Sequence, residues 1–178
     1  MSFLIALSLS TGFCCGVWAF ISQIPGLSLV TWIGFAGCTA YFASGKHGIE
    51  GISTAFFSTM SGVASALVAV FISGLFPSVA VMGIIMTGII SGTMCIQSVV
   101  KKLWFIPGAF IGCFSSFAYL SSGANLFSKD IISLIVSLSL GTILALCCDK
   151  GGNYLFKVLG KKKSEKDSES ENIESELN

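Results

Sequence analysis

The chain has 178 residues, of which 53% are hydrophobic and only 11% charged, with a net charge of +1; soluble domains usually carry about 25% charged residues. The few charges are clumped, and no Asp, Glu, Lys or Arg occurs at 1–43, 51–100, 103–128 or 131–148. A soluble fold of this size could not solvate its surface so sparsely, so the composition excludes an ordinary soluble domain and points to bilayer insertion.

The opening MSFLIALSLS lacks the basic region of a cleaved signal peptide and runs straight into more apolar sequence. It is therefore expected to be the first span, about 3–24, retained and ended by Pro25-Gly26. Gly12 and Gly16 in this span are four apart, the spacing that lets membrane helices approach closely. A second span is expected at about 29–44, with Gly34, Gly37 and Ala40 at roughly helical spacing on one face. The turn after it holds Lys46, His47 and Glu50. His47 is the single histidine; it reads as interfacial decoration or as a proton-handling group.

Span three, about 52–73, is rich in serine and threonine, which suits either tight packing or a wet path. A charge-free turn around Pro77-Ser78 leads to span four, about 79–99, with Gly83, Gly88 and Gly92, closed by Lys101-Lys102. Trp104 stands where an aromatic belt residue belongs, at the start of span five, about 103–120, which contains Pro107, Gly108 and Gly112. Span six is expected at about 131–148. Gly151-Gly152 is then expected to break the helix, before a short interfacial segment at 153–160 and a charged tail at 161–178 that cannot form a core. The domain boundaries are thus 1–150 for a six-helix transmembrane domain and 151–178 for the interfacial segment and disordered cytoplasmic tail.

All seven cysteines lie in apolar segments and include no Cys-x-x-Cys, so neither a disulfide framework nor a metal site is expected, and no cofactor. The basic residues of the short loops, Lys46, Lys101, Lys102 and Lys150, fall on one face, against Lys129 beside Asp130 on the other. The positive-inside rule then places both termini in the cytoplasm.

The chain also echoes itself. Thr11-Gly12 and Gly16 pair with Thr87-Gly88 and Gly92, Gly37-Cys38 with Gly112-Cys113, and Gly62 with Gly141. Ala40-Tyr41 and Ser44-Gly45 pair with Ala118-Tyr119 and Ser122-Gly123. A repeat of three spans has an odd number of crossings, so its second copy enters the membrane from the opposite face. The expected fold is an all-α polytopic membrane protein of six transmembrane helices in a 3+3 inverted-topology repeat, with halves at about 3–73 and 79–148. Small-residue repeats also arise because all membrane helices draw on one biased alphabet, and that alternative stays open. The glycines Gly12, Gly16, Gly34, Gly37, Gly88, Gly92, Gly108 and Gly112 are expected to serve helix packing, and if the halves meet at spans two and five they pack there through Gly34, Gly37, Gly108 and Gly112. Thr39, Tyr41, Ser44, Ser115, Tyr119 and Ser122 then offer the polar groups of a substrate path.

The runs WIGFAGCTAYFASG, MTGIISGTMCIQ and FIPGAFIGCFSSFA resemble the DUF1097 group of small bacterial inner-membrane proteins, over about 3–148. The resemblance implies a bacterial inner-membrane location and brings no substrate, cofactor or catalytic residue with it. A transporter or channel for a small neutral solute or an anion is one expectation, since no charge lies inside a span. A non-transporting scaffold or accessory subunit is the alternative. An enzyme is not expected: there is no Gly-x-Ser-x-Gly, no His-Glu-x-x-His, and no base beside the hydroxyls and thiols. The expected partners are the lipid bilayer, further copies of the chain and a small solute, and not nucleic acid.

Overall fold

In the computed structural model, residues 2–76 and 81–176 are described, with side chains as far as Leu159. The described residues form six α-helices and no strand: α1 (Phe3–Ser22), α2 (Thr31–Ala43), α3 (Gly48–Leu75), α4 (Met82–Ile96), α5 (Ile106–Ser121) and α6 (Lys129–Glu176), with a 3-10 turn at Gln97–Val99 after α4. The Pro77-Ser78 turn and the side chains of the charged tail lie outside the described residues.

Among the described residues, four stretches are long and apolar enough to cross a membrane: Phe3–Ser22, Gly48–Leu75, Met82–Val99 and Lys129–Leu159. The other two helices are shorter than the sequence suggests. At 1.5 Å per residue, the 13 residues of α2 rise about 20 Å and the 16 of α5 about 24 Å, less than the ~30 Å hydrocarbon core. Apolar residues ahead of each are not helical. Val30 is extended, with φ −110° and ψ 111°, and Phe105 has φ −82° and ψ 81°. Proline in the first turn of α5 suits this start, because its missing N–H has no intrahelical acceptor there.

Contacts sort the helix ends into two groups. Phe3 stacks edge-on with Phe156, His47 meets Asp149, and Lys46 shares a groove with Lys101 and Lys102, so these belong to one end. Leu27 and Ser28 share a groove with Lys129, Ser73 lies by Gly83, and Phe71 meets Phe127 at the other. The six helices therefore run alternately between the two ends. α1 and α4 are the peripheral helices, and both turn large apolar side chains outward, among them Phe13 and Phe20 on α1 and Ile84 and Ile96 on α4. Such surfaces are at home against acyl chains and would be a liability in water.

The helix does not break at Gly151-Gly152. α6 passes through both glycines because α1 lies against them: a Cβ on Gly152 would sit 3.0 Å from Leu7 Cα, and one on Gly151 would overlap the Ser10 hydroxyl. The Ser10 hydroxyl also donates to the Cys148 carbonyl at 2.9 Å. Glycine here is a contact surface, and its ordinary helix-weakening effect of about 1 kcal/mol is overridden by packing.

Candidate functional site

The closest helix approaches lie where α2 crosses α6 and where α5 crosses α3. A Cβ on Gly37 would overlap the Leu138 carbonyl oxygen, and one on Gly141 the Gly34 carbonyl oxygen. At the second crossing, a Cβ on Gly112 would overlap the Thr59 carbonyl oxygen, and one on Gly62 the Ala109 carbonyl oxygen. The four atoms of one crossing correspond to the four of the other. Gly37 and Gly112 are 75 apart in sequence, as are Gly34 and Ala109, while Thr59 and Leu138 are 79 apart, as are Gly62 and Gly141. Backbone touches backbone at both places, and no side chain intervenes.

The Ala-Tyr-x-x-Ser-Gly echo has one local meaning at both of its occurrences: it ends a helix. Gly45 (φ 64°) and Gly123 (φ 104°) adopt the left-handed conformation that glycine tolerates, immediately after α2 and α5. Their N–H groups donate to Phe42 and Leu120, each at 3.2 Å. The Ser44 hydroxyl donates to the Tyr41 carbonyl and the Ser122 hydroxyl to the Tyr119 carbonyl, both at 2.7 Å. Ser44 and Ser122 thus serve backbone termination.

The six residues named for a path do not gather in one place. Tyr41 and Ser44 stand at one end of the molecule, Tyr119 and Ser122 at the other. Thr39 is exposed and bonds back to the Phe35 carbonyl at 2.9 Å. Ser115 is fully buried with no partner for its hydroxyl among the described residues, and Ser58 is alike. Tyr119 is half-buried against Ile33, Val63, Leu134 and Leu138. Of the packing glycines, Gly37 and Gly112 meet backbone, Gly34 meets the Trp18 ring, and Gly108 meets the Phe105 ring and Ser58. A Cβ on Gly12, Gly16, Gly88 or Gly92 would meet nothing within 4 Å. Those four face outward on α1 and α4, so their spacing does not serve packing within one copy of the chain.

The most elaborate polar cluster centres on a residue outside that set. Asp149, on α6, is 4% exposed. Its Oδ2 accepts from the Tyr41 hydroxyl at 2.9 Å and lies 3.0 Å from Nδ1 of His47. Its Oδ1 accepts from Asn153 Nδ2 at 3.2 Å. The Tyr41 oxygen in turn accepts the Gly48 N–H at 2.8 Å, the first residue of α3. One buried carboxylate therefore ties the end of α2, the start of α3 and the body of α6 together. A charge-assisted network of this kind compensates the desolvation that an isolated carboxylate would suffer. His47 itself remains largely in solvent, with 74% of its side chain exposed, so the cluster reaches from the interior to the surface. The one sequence signal for it is an aspartate directly following an uncharged apolar run, where an ionisable group is a site by default.

A family described as "Protein of unknown function (DUF1097)" matches residues 8–153. The inner membrane protein YcdZ of Escherichia coli is 34% identical over 155 residues, covering 87% of this chain and 89% of that protein. The inner membrane protein YcdZ of Salmonella typhimurium is also 34% identical over 155 residues, covering 87% of this chain and 91% of its own. No solved structure matches the chain.

Proposed function

The chain belongs to the DUF1097 family, and from that premise we propose that it is an inner-membrane transporter or channel for a small neutral solute or an anion, built from two inverted halves. The halves are about 3–73 and 79–148, and six helices cross or enter the bilayer. One observation carries the reading: the closest backbone contacts of α2 on α6 of the other half recur, position for position, where α5 packs on α3. α2 is also the short helix of its half, and α5 that of its own once the 3-10 turn at Gln97–Val99 is counted with α4. A pair of unusually short segments at corresponding positions of inverted halves marks the working centre of many membrane transporters.

The alternation of the helices between two ends supports opposite entry of the halves. Lys46, Lys101, Lys102 and the start of α1 share an end, which the positive-inside rule assigns to the cytoplasm together with both termini. The outward glycines Gly12, Gly16, Gly88 and Gly92 then serve contacts between copies of the chain in a homo-oligomer. The reading assigns no catalytic residue and no cofactor.

A scaffold without transport is the second reading. The dry backbone contacts at both crossings favour it, because they leave no opening between α2 and α6 or between α3 and α5. Stopped-flow light scattering separates the two. Proteoliposomes challenged with glycerol, urea and sodium formate are expected to re-swell faster than empty liposomes for at least one of them. Rates equal to empty liposomes for all three, with a stoichiometric protein partner co-isolated from the membrane, would instead establish the scaffold.

A further inference from the structure

At the end that carries Asp149, the α2–α3 turn and the α4–α5 loop enclose a groove of about 850 Å³, lined among others by Lys46, Ser53, Thr54, Lys101, Lys102 and Trp104. Glu50 is its one acidic lining residue, and Lys46 holds that carboxylate at 3.0 Å. Lys101 and Lys102 have no acidic partner among the described residues. Lys102 instead lies 5.3 Å from the centre of the Phe57 ring. Phe57 and Trp104 are each about two-fifths exposed. The groove is thus basic toward the loops and aromatic along the flank that continues onto the apolar helices.

A second groove at the opposite end shows that this character is not dictated by the fold. It measures about 240 Å³ and is lined by Leu27, Ser28, Leu29, Lys129, Ile132 and Ser133, among others. Under the offsets of the two crossings, Leu27 takes the place of Lys102, Leu29 that of Trp104, Ile132 that of Ser53 and Ser133 that of Thr54. The same position in the fold is therefore small and largely apolar at one end, and large and basic at the other.

We infer that the basic groove is a binding site for the phosphate headgroup of an anionic phospholipid. It sits at the ends of apolar helices, where headgroups lie. Its lysines supply the charge that a phosphodiester needs, each attractive to an anionic headgroup near a membrane surface. Trp104 lines the groove, and with Phe57 beside Lys102 it supplies an amphipathic and apolar flank suited to the glycerol and the first acyl carbons. A free phosphate would make no use of that flank. The inference does not depend on transport: a scaffold would hold the same lipid.

The test is native mass spectrometry of the full chain in detergent, presented with equal phosphatidylglycerol and phosphatidylcholine. Wild type is expected to retain phosphatidylglycerol in preference, and K101Q/K102Q to lower that preference by about fivefold or more. K129Q, at the opposite groove, is expected to leave it unchanged. Thermal midpoints of the variants matching wild type show that the loss is local. Equal preference in wild type and K101Q/K102Q would overturn the site. Displacement of the lipid by excess inorganic phosphate would overturn the lipid assignment in favour of a soluble anion.

Discussion

At the end of α2, the Tyr41 hydroxyl enters a buried cluster with Asp149, His47 and the Gly48 N–H. At the end of α5, Tyr119 is reached through the same Ala-Tyr-x-x-Ser-Gly sequence, yet it rests half-buried on an apolar core. The position matching Asp149 through the α3–α6 offset is Val70. The terminating serine and glycine and the backbone crossings are common to both regions, while the carboxylate and the histidine belong to one. What the two regions share is structural; whatever distinguishes one end of the molecule from the other rests on residues that they do not share.

The largest expected effects lie at the two crossings. Gly62→Ala and Gly141→Ala each drive a methyl into a facing carbonyl, and each is expected to cost about 1–3 kcal/mol of stability, toward the upper end because backbone cannot swing aside. Denaturant or thermal unfolding in detergent measures both. A large loss at one and none at the other would separate the two crossings.

A smaller effect sharpens the difference at the helix ends. Tyr41→Phe removes one of the three side-chain partners of Asp149 and leaves the Gly48 N–H without its acceptor, and is expected to cost about 1–3 kcal/mol. Tyr119→Phe is expected to cost well under half as much in the same unfolding assay. Equal losses would mean that the Asp149 cluster adds nothing to the shared architecture.

His47→Gln removes the exposed partner of the same carboxylate. Its side chain is mostly in water, so the expected loss is below about 1 kcal/mol, as for exposed ion pairs. Smallest of all, Gly12→Ala and Gly88→Ala should change the stability of a single copy by no more than about 0.5 kcal/mol, since the added methyl meets nothing. Cross-linking in membranes checks their second expected effect, a loss of contacts between copies.

The number and approximate place of the helices were legible in the sequence because a long charge-free run lies within each one. The lengths of α2 and α5 were not. Leu29, Val30 and 103–105 are as apolar as the helices they precede, and composition carries no sign of where hydrogen bonding begins. The Tyr-x-x-Ser-Gly echo was visible as a pair, but a helix terminator and a polar path use the same residue types, and only φ at Gly45 and Gly123 distinguishes them. Gly151-Gly152 carries the composition of a breaker, and its helical conformation depends on α1, more than a hundred residues away in sequence. Asp149 was hidden for a related reason: it stands at the edge of an apolar run, where an exposed aspartate and a buried one look alike. Its burial requires Tyr41 and His47 to be brought to it by the α2–α3 turn.

The opposed orientation of the halves is tested most directly by which side of the membrane their loops face. Single cysteines at Ser2, Ser28, Lys101 and Asn125 can be probed with a membrane-impermeant maleimide in spheroplasts, before and after permeabilisation; the native thiols lie in the apolar helices. Ser28→Cys and Asn125→Cys are expected to react in intact spheroplasts, and Ser2→Cys and Lys101→Cys only after permeabilisation. Reaction of Ser28→Cys and Lys101→Cys from the same side would contradict the inverted arrangement, because those two loops enter α2 and α5 from opposite ends.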